Sequence, residues 1–285
     1  MSEILNCSIN VGTNIIDWWF ANSGQGPMCA KTIVLITLHS SILANTDAIA
    51  MLLVNRSAEA AKPLLRSILE THLYLEWVLQ DKSQDTANAY LVLSRKKDLD
   101  LINSLDPQSS KYKSITGQIN STDDFYLPDS VNLNLLLTQR KELEEQLQLP
   151  TAVEILENLK THPSNKKNLP WYAINGGPAS IIDLATKLNR RGTYEKIYRA
   201  LSSNAHGSDT DSFVLKRDNN LILKPIRRVE NSPFVFNYAC TIVCRMNRLL
   251  SEATQDRSLI VWVQDKYFSA IRKPKNRLSQ LQIKY

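Results

Sequence analysis

The stretch PLLRSILETHLYLEWVLQ, residues 63–80, constrains the fold more than any other. Leu64, Leu65, Ile68, Leu69, Leu73, Leu75, Trp77, Val78 and Leu79 fall around almost the whole circumference of a helix. A helix that is apolar all round is buried and needs other elements packed on every side. Pro63 fits the first turn of this helix, where its missing N–H costs nothing. The same helix carries Arg66, Glu70, His72 and Glu76. Arg66 and Glu70 are spaced i, i+4 and share a face. Buried charges are costly unless paired and hydrogen-bonded. Two readings of the pair follow: a structural ion pair pinning two helices together, or an arginine held by a carboxylate and aimed into a cleft. A metal site from Glu70, His72 and Glu76 is disfavoured, because Glu70 and His72 lie on different faces and no second cluster supplies ligands.

The rest of the chain agrees with a helical surround. Met28–Val54 reads as a long apolar helix, and helical spacing returns in 83–105, 131–149, 152–160, 178–189, 193–205, 233–253 and 258–272. Two apolar runs around DNN make a candidate hairpin near 212–226. The fold class is therefore all-α, a bundle of roughly eight to ten helices with one small β-hairpin. Residues 1–27 read as a partly helical lead segment, 28–272 as a single helical domain and 273–285 as a basic tail. Trp18 and Trp19 are candidate anchors of the lead segment, base stacking being the alternative.

Composition narrows the chemistry. Glycine numbers only 8 in 285 residues, and no GxGxxG, GxxxxGK[ST] or GxSxG pattern occurs. Phosphate-binding glycine loops and serine-hydrolase elbows are disfavoured, and no cofactor is called for. The N-terminus lacks the pattern of a signal peptide. The most apolar run is broken by His39, Asn45 and Asp47, so no membrane span is expected. Of the four cysteines, Cys240 and Cys244 share a helix face, and no CxxC pair occurs. Reduced thiols in a cytoplasmic protein are expected. The net charge of +6 is uneven: from Lys216 onward there are 14 Lys+Arg against 5 Asp+Glu, so the remainder is acidic. A basic C-terminal quarter is a footprint for a polyanion or simply a solvated tail.

One histidine stands out, in YEKIYRALSSNAHGSD, residues 194–209. On a helix, the seven residues from Arg199 to His206 turn about 700°, so both point the same way roughly 10 Å apart along the axis. Ser203 lies between them, and Gly207 is a natural stop. His206 then sits at a helix C-terminus, where the dipole favours its protonated form. Arginine, hydroxyls and a histidine titrating near neutrality suit phosphate chemistry. The bland reading is a capping histidine and an Arg199–Glu195 surface pair.

Arg-x6-His at the end of a short helix in an all-helical chain resembles the HEPN superfamily. A helix of the LLRSILETHLYLEW type followed by a YEKIYRALSSNAHG segment also resembles a family of bacterial helical proteins, over about Leu38 to Ser208. The resemblance implies a metal-independent endoribonuclease acting in toxin or antiviral defence systems, with RNA as partner, no cofactor and a site composed across a homodimer. A regulatory protein partner fits such a role. Arg199, His206 and Ser203 become the catalytic candidates; Arg66, Glu70 and Asn204 become the substrate-binding candidates. The motif's usual Asn, Asp or His after the arginine is Ala200 here. The alternative is a non-catalytic helical module that binds nucleic acid or protein.

Overall fold

The computed structural model describes residues 2–23, 28–117, 133–161, 169–198, 201, 214–217 and 220–278. Helix α1 (Ser2–Asn22) stands where a partly helical lead was expected. Its buried residues Leu5, Ser8, Val11, Gly12 and Ile15 share one face, but Ser and Gly make the stripe faint in the sequence. Helix α2 (Ala30–Val54) follows, then α3 (Ala58–Gln80).

Helix α3 begins earlier than expected, and Pro63 lies inside it. The reason is the turn before it. Arg56 adopts φ 58°, and the Ser57 N–H donates to the Leu52 carbonyl at 2.8 Å. This left-handed cap closes α2 so tightly that the next helix starts at once. Pro63 is exposed, on the side where a missing helical hydrogen bond costs least.

The chain continues through α4 (Asp85–Leu105), α5 (Ser110–Thr116), α6 (Leu133–Leu147), α7 (Pro150–Lys160), a 3-10 turn (Trp171–Gly176) and α8 (Ile181–Lys187). A single turn, α9 (Arg191–Thr193), runs into a π-helical turn (Tyr194–Tyr198). Strands β1 (Val214–Arg217) and β2 (Asn220–Leu223) pair antiparallel, with Val214 opposite Leu223 and Arg217 opposite Asn220. This is the hairpin expected within 212–226. Helices α10 (Ser232–Ala253) and α11 (Arg257–Leu278) complete the described chain. Helix α11 continues into the stretch read as a tail. The molecule is all-α apart from the hairpin.

The described residues fall into two compact units, residues 1–82 with 180–285 and residues 83–179, where the sequence reading had one domain over 28–272. In the first unit α3 is central. It packs on α2 and α10, and α8 and the π turn also contact it. Leu65, Ile68, Leu69 and Leu75 of α3 meet a core shared with Val34 and Ile42 of α2 and Val243 and Met246 of α10, all essentially inaccessible. Helix α1 lies on α2, α10 and α11. By length and composition alone α2 could cross a membrane, but half of its most apolar stretch is buried inside the protein, as in a core helix. In the second unit Ala89, Val92, Ala152 and Ile155 form the core, and Trp171 packs edge-on against Tyr90 and Tyr172. Gly177 is required there, because a Cβ would come 1.8 Å from the Tyr172 carbonyl oxygen.

Candidate functional site

Two of the polar clusters along α3 are built around Arg66 and Glu76. In the first, Arg66 Nε donates to Glu70 Oε1 at 3.0 Å, as the i, i+4 spacing predicts. Arg66 Nη2 donates to the Tyr198 hydroxyl at 2.7 Å, and the guanidinium carbon lies 4.6 Å from the centre of the Tyr198 ring. Both Arg66 and Glu70 are partly exposed, with 21% and 28% of their side chains accessible. Burial opposes charge on Arg66, but the bonds to Glu70 and Tyr198 outweigh it and raise its pKa. Burial first, then the Glu70 charge, pushes the Tyr198 phenol above its ordinary value, so it stays protonated.

Tyr198 reaches Arg66 from the π turn. There Tyr194 and Tyr198 stack with ring centres 4.5 Å apart and planes 16° from parallel. A π turn widens the backbone by one residue and is frequent at functional sites. The sequence reading had an ordinary α-helix here. Arg191 takes Glu195 as its partner, with Nε 3.8 Å from Oε1.

The second cluster centres on Glu76, whose side chain is 5% exposed. Its Oε1 accepts from His72 Nε2 at 2.8 Å and from Arg245 Nε at 2.5 Å; its Oε2 accepts from Arg190 Nε at 3.2 Å. Burial works to raise the Glu76 pKa, but the bonds from His72 and Arg245 and their charges hold it below the usual carboxylate value. Arg190 follows Asn189, which sits in the left-handed region at φ 56°. Lys187 lies 5.8 Å from the centre of the neighbouring Trp77 ring.

The structure thus brings Arg66 and Glu70 together and adds Tyr198, which sequence reasoning missed. The signal for Tyr198 was a tyrosine pair at i, i+4, and for Arg190 the Arg-Arg between two short helices. Arg199, Ser203, Asn204 and His206 lie outside the described residues. Among the described residues, no group of three His, Cys, Asp or Glu side chains could hold a metal ion. The basic C-terminal quarter is partly internal: Arg228 pairs with Glu59 in the interior, and Arg245 pairs with Glu76. Trp18 ties α1 to the turn before α11, its Nε1 donating to Asp256 Oδ2 at 2.9 Å. All four cysteines are free, and the Cys240 and Cys244 sulfurs stand 3.9 Å apart. A cleft of about 300 Å³ in the second unit is lined by Asp98, Ile102, Gln139, Glu142, Leu143 and Gln146. Its acidic lining has the wrong sign for a phosphate ligand.

Residues 32–221 match a family described as a family of unknown function (DUF5677). The match spans both α3 clusters except Arg245. No curated protein and no solved structure matches the chain.

Proposed function

The chain belongs to the DUF5677 family, and from that premise we propose that it is a HEPN-like, metal-independent endoribonuclease. The observation that carries this reading is the Arg66–Tyr198 hydrogen bond. Tyr198 directly precedes Arg199, the first residue of the Arg-x6-His motif. The buried helix that bears Arg66 and Glu70 is thereby tied, at the adjacent residue, to the segment that bears the motif. The π turn and the stacked tyrosines before the motif add support, since irregular helix at a polar cluster is a feature of working sites.

In this reading Arg66, oriented by Glu70, contacts a phosphate, and Arg199 offsets charge that develops in the transition state. The ribose 2′-oxygen attacks phosphorus and the bond to the 5′-oxygen breaks, leaving a 2′,3′-cyclic phosphate. His206 removes the 2′ proton or delivers a proton to the leaving oxygen. Ser203 and Asn204 supply hydrogen bonds beside it. A homodimer brings two motifs to one site, and a cytoplasmic toxin or antiviral role, held in check by a protein partner, suits such an activity.

The alternative is a non-catalytic binding module. It is favoured by the fact that Arg66 already has partners for Nε and Nη2, as a structural ion pair would. One experiment separates the two. Labelled RNA is incubated with purified protein in excess EDTA beside His206→Ala and Arg66→Gln. The nuclease reading expects cyclic phosphate ends from wild type, a loss on the order of 10²–10⁴-fold in His206→Ala, and a smaller loss in Arg66→Gln. RNA that is bound but uncut by the wild-type protein rejects the nuclease in favour of the module. Equal cutting by wild type and His206→Ala rejects His206 as the acid or base.

A further inference from the structure

We propose that Arg190 and Arg245, braced on the buried carboxylate of Glu76, form a binding site for a phosphate group. One guanidinium is enough to neutralise Glu76, yet two bond to it, together with His72 Nε2. The two guanidiniums alone exceed the one carboxylate by one positive charge. An excess charge at a partly buried position is unfavourable unless an anion joins it.

Geometry says where the anion sits. The anchor is inaccessible, but 27% of the Arg190 side chain and 30% of the Arg245 side chain remain exposed. Each arginine meets Glu76 through Nε, and among the described residues the edge formed by its two terminal nitrogens has no other acceptor. That edge is the fork that grips phosphate oxygens in a bidentate manner. The two forks come from different elements, α10 and the chain just before α9, and one carboxylate fixes both. Held in this way, they lose little side-chain freedom when a ligand arrives. Glu76 therefore orients the arginines more than it neutralises them.

The shared chemistry is a phosphate, either free, on a nucleotide, or in an oligonucleotide backbone. The site stands independently of RNA cleavage, because its readout is binding. Calorimetric titrations compare inorganic phosphate, adenosine monophosphate and a short RNA without terminal phosphates, at constant ionic strength set with chloride. The wild-type protein is expected to bind at least one of the three. Arg190→Gln and Arg245→Gln should each weaken that binding on the order of tenfold, the loss of one charged hydrogen-bonding fork. Arg190→Lys and Arg245→Lys keep the charge and should still weaken it. Arg248→Gln, which alters an exposed arginine paired with Glu252 on the same helix, should change nothing. Circular dichroism at 222 nm checks that each variant is folded, and the Lys variants carry the test if a Gln variant is not. The ligand that binds identifies the source of the phosphate. No binding of any of the three, or equal binding by wild type and the folded Arg190 and Arg245 variants, overturns the proposal.

Discussion

His39 shows what burial does to a single residue. It lies in the middle of α2, wholly inaccessible, facing Asn247 without a well-formed hydrogen bond. Burial drives its pKa from the ordinary 6.5 down to about 4, against the pull of Asn247. Above pH 6.5 the ring is neutral in both states and no penalty arises. As pH falls from 6.5 towards 4, the unfolded chain binds a proton that the folded chain refuses, and stability drops. The carboxylates of Glu59 and Glu76, held below their ordinary 4.5, lose their contributions only at pH values under that figure. In the window from 6.5 to 4.5, the difference between wild type and a variant lacking only His39 therefore reports on that residue. Urea unfolding of wild type and His39→Leu should show their stability difference shifting by about 2–3 kcal/mol across that window in favour of the variant. A difference that stays constant with pH would mean that His39 takes up its proton as readily in the fold as in the unfolded chain. At this scale, Arg66–Glu70 was legible because i, i+4 neighbours share a helix face. Tyr198, Arg190 and Arg245 were not, because each meets α3 from far along the chain.

Among the elements, α1 shows how close packing hides in a sequence. A Cβ on Gly12 would lie 2.5 Å from Leu43 Cδ2 and 2.9 Å from Asn247 Oδ1, so α1 approaches α2 and α10 at this residue. Alanine is the better helix former by about 1 kcal/mol, but overpacking costs about 1–3 kcal/mol. Gly12→Ala is expected to lower stability by about 1 kcal/mol net, read as a fall in thermal midpoint. A rise would show that Leu43 and Asn247 can move aside. Helix ends carry a related lesson. Arg56, Asn189 and Gln255 take the left-handed conformation that glycine usually supplies. These turns are sharp without glycine, and the start of α3 was misplaced for this reason.

For the whole molecule, the first unit is discontinuous in sequence, with residues 1–82 and 180–285 on either side of the second. Its two parts are held by apolar packing of α10 on α1, α2 and α3. Lys82 and Ser83, between α3 and α4, are exposed. A specific protease site inserted after Lys82 should be cut without separating the pieces, which should elute together from a sizing column until denaturant is added. Separation on cutting would show that this packing does not hold the halves without the covalent link.

Hydropathy and spacing alone determined that the chain is helical, that the helix over 63–80 is largely buried, that a hairpin lies near 212–226, and that Arg66 meets Glu70. These are local matters, set by a period of 3.6 or 2 residues and by side chains one turn apart. The tertiary structure alone decided that Glu76 gathers Arg190 and Arg245, that Arg66 is bonded to Tyr198, and that the chain divides into two units. Those contacts join residues separated by a hundred positions or more. Local periodicity carries no record of such pairings, which are chosen by how the helices pack around the buried helix α3.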